Sequence, residues 1–139
     1  MTPSLSHSGV QVALGAALFN LKQYSVFSEL YLEIEGKEYI PDICVYPKRE
    51  INFIRDILRM TEMPLLAIEI LSPSQAVQEL VDKIEIYINA GVQSSWLVIP
   101  TTCTVTVYHD FKSFESFSQG QIIDKKLAIR LELNEIFSF

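Results

Sequence analysis

An α/β domain with a mixed central sheet flanked by helices is the fold class that these 139 residues predict. Three observations point there. Residues 65–71 form an apolar run broken only by Glu69 and bounded by Pro64 and Pro73, the pattern of a central strand covered on both faces. Val77, Leu80, Val81, Ile84, Tyr87 and Ile88 then recur at helical spacing. Along the whole chain the periodicities run helix, three strands, helix, two strands.

Residues 7–21 read as a helix with Val10, Leu14, Ala17, Leu18 and Leu21 on one stripe. Its other faces carry Ala13, Gly15 and Ala16, so more than one neighbour is expected. A strand follows over 24–34, with Leu30, Leu32 and Ile34 facing one way and Tyr31 and Glu33 the other. Glu35-Gly36-Lys37-Glu38 has the composition of a hairpin turn, Gly36 being free to take positive φ. The return strand, 39–46, is interrupted at Pro41 and carries Asp42. A short helix over 52–60 would set Arg55 and Arg59 one turn apart on one face.

After the central strand, Ser72 reads as a helix cap, Pro73 as the first helical residue and Gln75 as the capping-box partner. Gly91 ends that helix. Residues 95–99, with Trp96, form a short buried strand, and 104–109 alternate as an outer strand. Residues 111–126 read as loop or weak hairpin, 128–133 as a last strand, and 136–139 as an apolar tail.

With 49% hydrophobic and 20% charged residues, the chain 1–139 is expected to form a single domain with a real core. No run is long enough to span a bilayer and no signal-peptide pattern opens the chain, so a cytoplasmic protein with no membrane partner is expected. Cys44 and Cys103 read as buried, reduced thiols without zinc-site spacing. A net charge of −6, from 17 acidic and 11 basic residues, argues against bulk attraction to nucleic acid. A local basic strip remains, because Lys48, Arg49, Arg55 and Arg59 bunch together. There is no phosphate-cradling glycine loop, nucleophile elbow or Cys–His pairing, which removes those chemistries.

Asp42, Glu69 and Lys83 stand out from this background. If their strands pair, the two carboxylates project at one edge of the sheet. At 4 Å and an effective dielectric of 20 they would repel by about 4 kcal/mol. A shared divalent ion removes that repulsion, and oxygen ligands point to Mg²⁺ or Mn²⁺. Lys83 sits at the border of the helix's apolar stripe, from which a long side chain reaches toward the strand. Taken singly, Asp42 reads as a turn residue beside Pro41, and Lys83 as an exposed i,i+4 partner of Glu79.

The ordered set Tyr39-Ile40-Pro41-Asp42-Ile43, Leu66-Ala67-Ile68-Glu69-Ile70-Leu71-Ser72-Pro73-Ser74, Lys83 with Tyr87, Gly91-Val92 and Trp96-Leu97-Val98 resembles the bacterial Uma-type endonuclease family. That family is a branch of the PD-(D/E)xK restriction-endonuclease-like superfamily. The resemblance implies an α-β-β-β-α-β core and metal-dependent hydrolysis of DNA phosphodiester bonds. Asp42 and Glu69 would be the metal-binding acids, with the backbone carbonyl of Ile70 as a further ligand. The lysine usual two residues after the second acid is Leu71 here, and Lys83 is expected to take its place. Lys48, Arg55 and Arg59 are candidates for phosphate contact, and His7, Ser72 and Gln11 for support around the acids.

The chain departs from the family pattern in three places. Its lead-in Met1-Thr2-Pro3-Ser4 and His7 match where the first core helix begins, so the usual N-terminal segment is expected to be lacking. Ile99 stands at the usual acid after the Trp-Leu-Val strand, and Glu79 at the usual aspartate before the lysine. These departures keep a rival in view, a catalytically degenerate nuclease-fold module used for interaction or assembly. Cutting both strands asks for two copies, so a homodimer is expected, with the mild first helix and the apolar tail as its surface.

Overall fold

The chain runs through helix α1 (Leu5–Asn20) and strands β1 (Tyr24–Ser28), β2 (Leu32–Ile34), β3 (Lys37–Tyr39), β4 (Ile43–Pro47) and β5 (Leu66–Ile70). Helix α2 (Val77–Asn89), β6 (Ser94–Ile99), β7 (Thr104–Tyr108), β8 (Phe114–Phe117), β9 (Gln121–Asp124), β10 (Ile129–Glu132) and the short α3 (Leu133–Phe137) follow. These come from a computed structural model that describes residues 4–139. Met1, Thr2 and Pro3 of the lead-in lie outside the described residues.

Six strands form one mixed sheet in the order β1-β4-β5-β6-β7-β8. β5 lies inside it, antiparallel to β4 and parallel to β6, with α2 as the crossover. Every residue of β5 is buried, which is why its sequence does not alternate. Leu66, Ile68 and Ile70 pack with Val10, Leu14 and Leu18 of α1 on one face. Ala67 packs with Leu32, Ile34, Tyr46 and Tyr87 on the other, under α2 and the β2–β3 hairpin. α1 begins on Ser4, whose hydroxyl accepts the His7 N–H at 3.1 Å. The expected stripe Val10, Leu14, Ala17 and Leu18 is buried.

Several expectations shift. The single strands expected over 24–34 and 39–46 each break in two: Glu29 adopts φ 51°, and the segment around Pro41 separates β3 from β4. The β2–β3 hairpin so formed folds back over the sheet. Its turn has φ 50° at Glu35 and φ 76° at Gly36, the positive pair that two-residue hairpins favour. No helix forms over 52–60. The Asn52 side chain accepts the N–H groups of Ile54 and Arg55 at 3.1 and 3.3 Å, diverting them from a helical ladder, and Met60 bridges to Leu32. α2 starts at Val77 instead of Pro73. Gln75 does accept the Ser72 N–H at 3.1 Å, but Ala76 turns extended (ψ 143°) before the helix begins.

β7 is interior, because β8 pairs along its far side and forms the edge. The 128–133 strand pairs with β9 in a separate two-stranded sheet. The tail turns into α3, with Ile136 buried and Phe139 still 88% exposed. Cys44 is buried as expected, whereas Cys103 is exposed, and both are free thiols. No helix among the described residues is long and apolar enough to cross a membrane.

Candidate active site

Two carboxylates meet at one end of the central sheet. Ile43 pairs with Ile68 across β4 and β5, and one further step of that antiparallel register sets Asp42 against Glu69. Both are nearly inaccessible, Asp42 at 5% and Glu69 at 3% exposure. The chain order makes this convergence. Asp42 enters β4 where Glu69 is about to leave β5, because the two strands run in opposite directions.

Each carboxylate is held by a donor of its own. Asp42 Oδ2 accepts the Ile70 backbone N–H at 2.7 Å, and Glu69 Oε2 accepts the Tyr87 hydroxyl at 2.5 Å. An extended residue presents its N–H and C=O on the same side, so the Ile70 carbonyl also faces the Asp42 side. His7 Nε2 lies 3.2 Å from Asp42 Oδ1, within ion-pair range. The contact is poorly directed, and Nε2 remains a buried nitrogen without a hydrogen bond. Gln11 Nε2 donates to the backbone carbonyl of Asp42 at 3.2 Å and to Glu29 Oε2 at 3.4 Å. Glu29 N–H also donates to that carbonyl, at 3.1 Å.

Burial dominates the electrostatics. It pushes Glu69 up to about 7, with the Asp42 charge adding to the rise, while the Tyr87 hydrogen bond and the Lys83 charge oppose it. Asp42 is also raised by burial, against the Ile70 N–H, His7 and Lys83. The Tyr87 phenol is raised far above its usual range by burial and by Glu69, so it stays protonated and donates. Lys83 is half-buried, one turn before Tyr87 on α2. Its charge acts on both acids, yet it forms no hydrogen bond or ion pair among the described residues, Glu79 included.

The donor set suits a hard cation. Two buried anions share one space, and each carboxylate oxygen already engaged keeps a second lone pair. Among the described residues no three His, Cys, Asp or Glu side chains are grouped as a metal site. Two carboxylates are what a Mg²⁺ ion ordinarily asks of a protein, its other positions being left to water and phosphate.

Not every candidate joins this cluster. Lys48 follows β4 at the end opposite Asp42. Arg59 pairs with Glu38 at 2.5 Å, and Arg55 is exposed on the turn that replaces the expected helix. The basic strip is therefore partly neutralised and does not face the acids as one surface. Ser72 is buried, but its Oγ has no partner and caps no helix.

Sequence reasoning left Tyr87 as an apolar-stripe residue and did not identify its hydroxyl as the partner of Glu69. The clue was a polar tip on an otherwise aliphatic buried stripe. It also missed Asp124, fully buried, which accepts Trp96 Nε1 at 2.9 Å and Leu127 N–H at 3.2 Å and faces His109 Nε2 at 3.1 Å. That cluster satisfies the buried indole and ties β9 to the sheet.

A sequence model of the Uma2 family, described as "Putative restriction endonuclease", matches residues 1–134. Among solved structures, the chain is similar to a protein from Anabaena variabilis ATCC 29413 described as a "putative nuclease belonging to DUF820". The two share 25% identity with a TM-score of 0.80, over 99% of this chain and 83% of that one. No curated protein matches the chain.

Proposed function

This chain belongs to the Uma2 family, and from that premise we propose that it is a metal-dependent endonuclease hydrolysing DNA phosphodiester bonds. The observation that carries the reading is the buried pair Asp42 and Glu69, each fixed through one oxygen, at one end of the central sheet. Burying two carboxylates together costs more than the single donor each receives returns, as the upward shifts of both show, and such perturbed pairs cluster at functional sites.

Asp42, Glu69 and the Ile70 carbonyl would hold Mg²⁺, or Mn²⁺ in its place. A bound ion would neutralise the pair, polarise the scissile phosphate and make water a stronger nucleophile. The chain's own groups do the rest. Ile70 N–H and Tyr87 hold the acids in place before the ion arrives. Gln11 and Glu29 N–H hold the Asp42 backbone, so the carboxylate does not swing away. Lys83 keeps both acids closer to their ionised forms and supplies positive charge where negative charge grows on the phosphate.

One observation favours the rival, a nuclease fold kept for interaction or assembly: Arg59 is neutralised and Lys48 is remote from the acids. Calorimetric titration with Mn²⁺ separates the readings. Binding by the native chain that disappears in Asp42→Ala supports the enzyme, and no binding at millimolar Mn²⁺ supports the module. Plasmid cleavage should be lost in Glu69→Ala and Lys83→Ala. Equal cleavage by all three proteins would identify a contaminant.

A further inference from the structure

Cations gather at the end of the sheet away from Asp42 and Glu69. Lys22 lies in the turn from α1 to β1. One step beyond the Tyr24–Pro47 pair, the antiparallel register of β1 and β4 brings Lys48 beside Gln23. A groove of about 450 Å³ has Leu21 and Gln23 on one wall and Lys125, Ala128 and Arg130 on the other. Lys126 follows Lys125 in the β9–β10 turn, and the Tyr24 hydroxyl joins the two walls by donating to the Leu127 carbonyl at 2.6 Å. Lys22, Lys48, Lys125, Lys126 and Arg130 are all exposed.

These charges are unspent and held in place. None of the five forms an ion pair among the described residues, and Arg130 donates to the uncharged Gln121 Oε1 at 3.3 Å. The acid that lines the groove is Asp124, fully buried, with its oxygens already engaged by Trp96, Leu127 and His109. That Leu127 N–H bond and φ 56° at Ala128 fix the turn that carries Lys125 and Lys126. Lys22 has φ 61°, and its Nζ rests 4.6 Å from the centroid of the Phe19 ring. Five of the 11 basic residues are here, so the other six are outnumbered by the 17 acidic ones. A polyanion is repelled by most of this surface and drawn to the groove.

The shape of the surface selects the polyanion. Membrane-binding faces pair cations with apolar groups that insert. Here Leu21 and Ile123 are half-buried and Ile129 is buried, whereas Phe53, Ile54 and Leu58, all more than 80% exposed, belong to the loop after β4. A sugar–phosphate backbone asks instead for cations and amides along a concave track, and Gln23 adds an amide to the lysines.

We propose that this groove is a docking site for the nucleic-acid backbone, binding phosphates without reading base sequence. It is separate from the acids: β4 runs from beside Asp42 to Pro47, about 17 Å at about 3.3 Å per residue. The proposal does not rest on the nuclease reading, because a module that binds nucleic acid and cuts nothing would use the same groove.

Fluorescence anisotropy with a labelled duplex of about 20 base pairs (roughly two helical turns) tests it. EDTA is present throughout, so that no metal bridges protein to DNA and nothing is cut. Affinity should fall with salt, with a log–log slope of about −4 to −5 for five cations. Lys125→Glu combined with Lys126→Glu should weaken binding about tenfold or more and flatten the slope by about two. The melting temperature should not change, because both side chains are exposed. Lys22→Glu, on the other wall, should flatten the slope by about one and covers the case of a misfolded hairpin variant. Lys37→Glu combined with Arg55→Glu changes the net charge equally outside the groove, and an equal loss there overturns the proposal as a bulk charge effect. A native chain that binds no duplex at about 100 µM protein and about 50 mM salt also overturns it. Binding to vesicles rich in phosphatidylserine but not to DNA does the same and assigns the groove to a membrane. DNA binding lost in the groove variants, with no cleavage when Mg²⁺ is restored, supports the docking site and sinks only the nuclease reading.

Discussion

Replacing Glu69 with Gln should make the metal-free protein more stable, by an amount that depends on pH. The glutamine keeps an oxygen to accept the Tyr87 hydroxyl, now 2.5 Å from Glu69 Oε2, and removes the charge. Burial and the Asp42 charge raise Glu69 from 4.5 to about 7. At about 1.4 kcal/mol per pH unit, that rise means an ionised Glu69 costs about 3 kcal/mol relative to the unfolded chain. The sign follows from proton counting. Between pH 4.5 and about 7 the native state holds a proton that the unfolded state has released, so native stability falls across that window and is level above it. Glu69→Gln has no such loss. The two proteins should melt together near pH 4.5 and separate to about 3 kcal/mol by pH 8. At about 2.1 cal/mol/K per residue over 139 residues, that is a difference of about 10 °C. Thermal melts followed by circular dichroism in EDTA-treated buffers measure it. A Gln variant no more stable than the native chain at pH 8, or a difference that persists unchanged at pH 4.5, would refute the claim that Glu69 is held ionised at a cost. Added Mg²⁺ should raise the native melting temperature and leave the Gln variant where it was.

Three further substitutions probe the same structure. Tyr87→Phe leaves Glu69 Oε2 without its donor; about 1–3 kcal/mol of stability at pH 8 and about tenfold in Mn²⁺ affinity should be lost, read by melting and calorimetry. Lys83→Met removes a charge that holds both acids down, so the pH at which Mn²⁺ binding reaches half its plateau should move upward; an unchanged midpoint would mean that Lys83 does not act on the pair. Asp124→Ala strands the buried Trp96 N–H and the Leu127 N–H, and should cost about 3 kcal/mol or more with no change in Mn²⁺ affinity. A fall in affinity there would tie the Trp96 cluster to the acid site.

Much of the fold was legible because it is written in short-range periodicity. The all-apolar 65–71 run is β5, covered on both faces, and the helical stripe Leu80, Ile84, Tyr87 is the buried side of α2. Failures came where the local backbone left the path that propensity favours. Asn52 captured the N–H groups of Ile54 and Arg55 and prevented a helix, and Ala76 turned extended to delay α2. β8 was obscure for another reason. Phe114, Glu115 and Ser116 are all exposed, so an edge strand there shows no alternation of burial to read.

Residue chemistry by itself determined that Glu69 was anomalous, because a carboxylate within an apolar strand has a cost that any fold must meet, whereas Asp42 read singly as a turn residue beside Pro41 and gained weight only from the ordered motif set. It could not determine what meets that cost. Tyr87 reaches Glu69 across 18 residues and the Ile70 N–H reaches Asp42 across 28, contacts set by strand register and helix packing. Only the tertiary structure decided that the acids converge from antiparallel strands, that Lys83 lies near both without touching either, and that Arg59 is consumed by Glu38. The physical reason is range. Periodicity and capping act over a few residues, whereas the burial and repulsion that mark this site exist only once β4, β5 and α2 have packed.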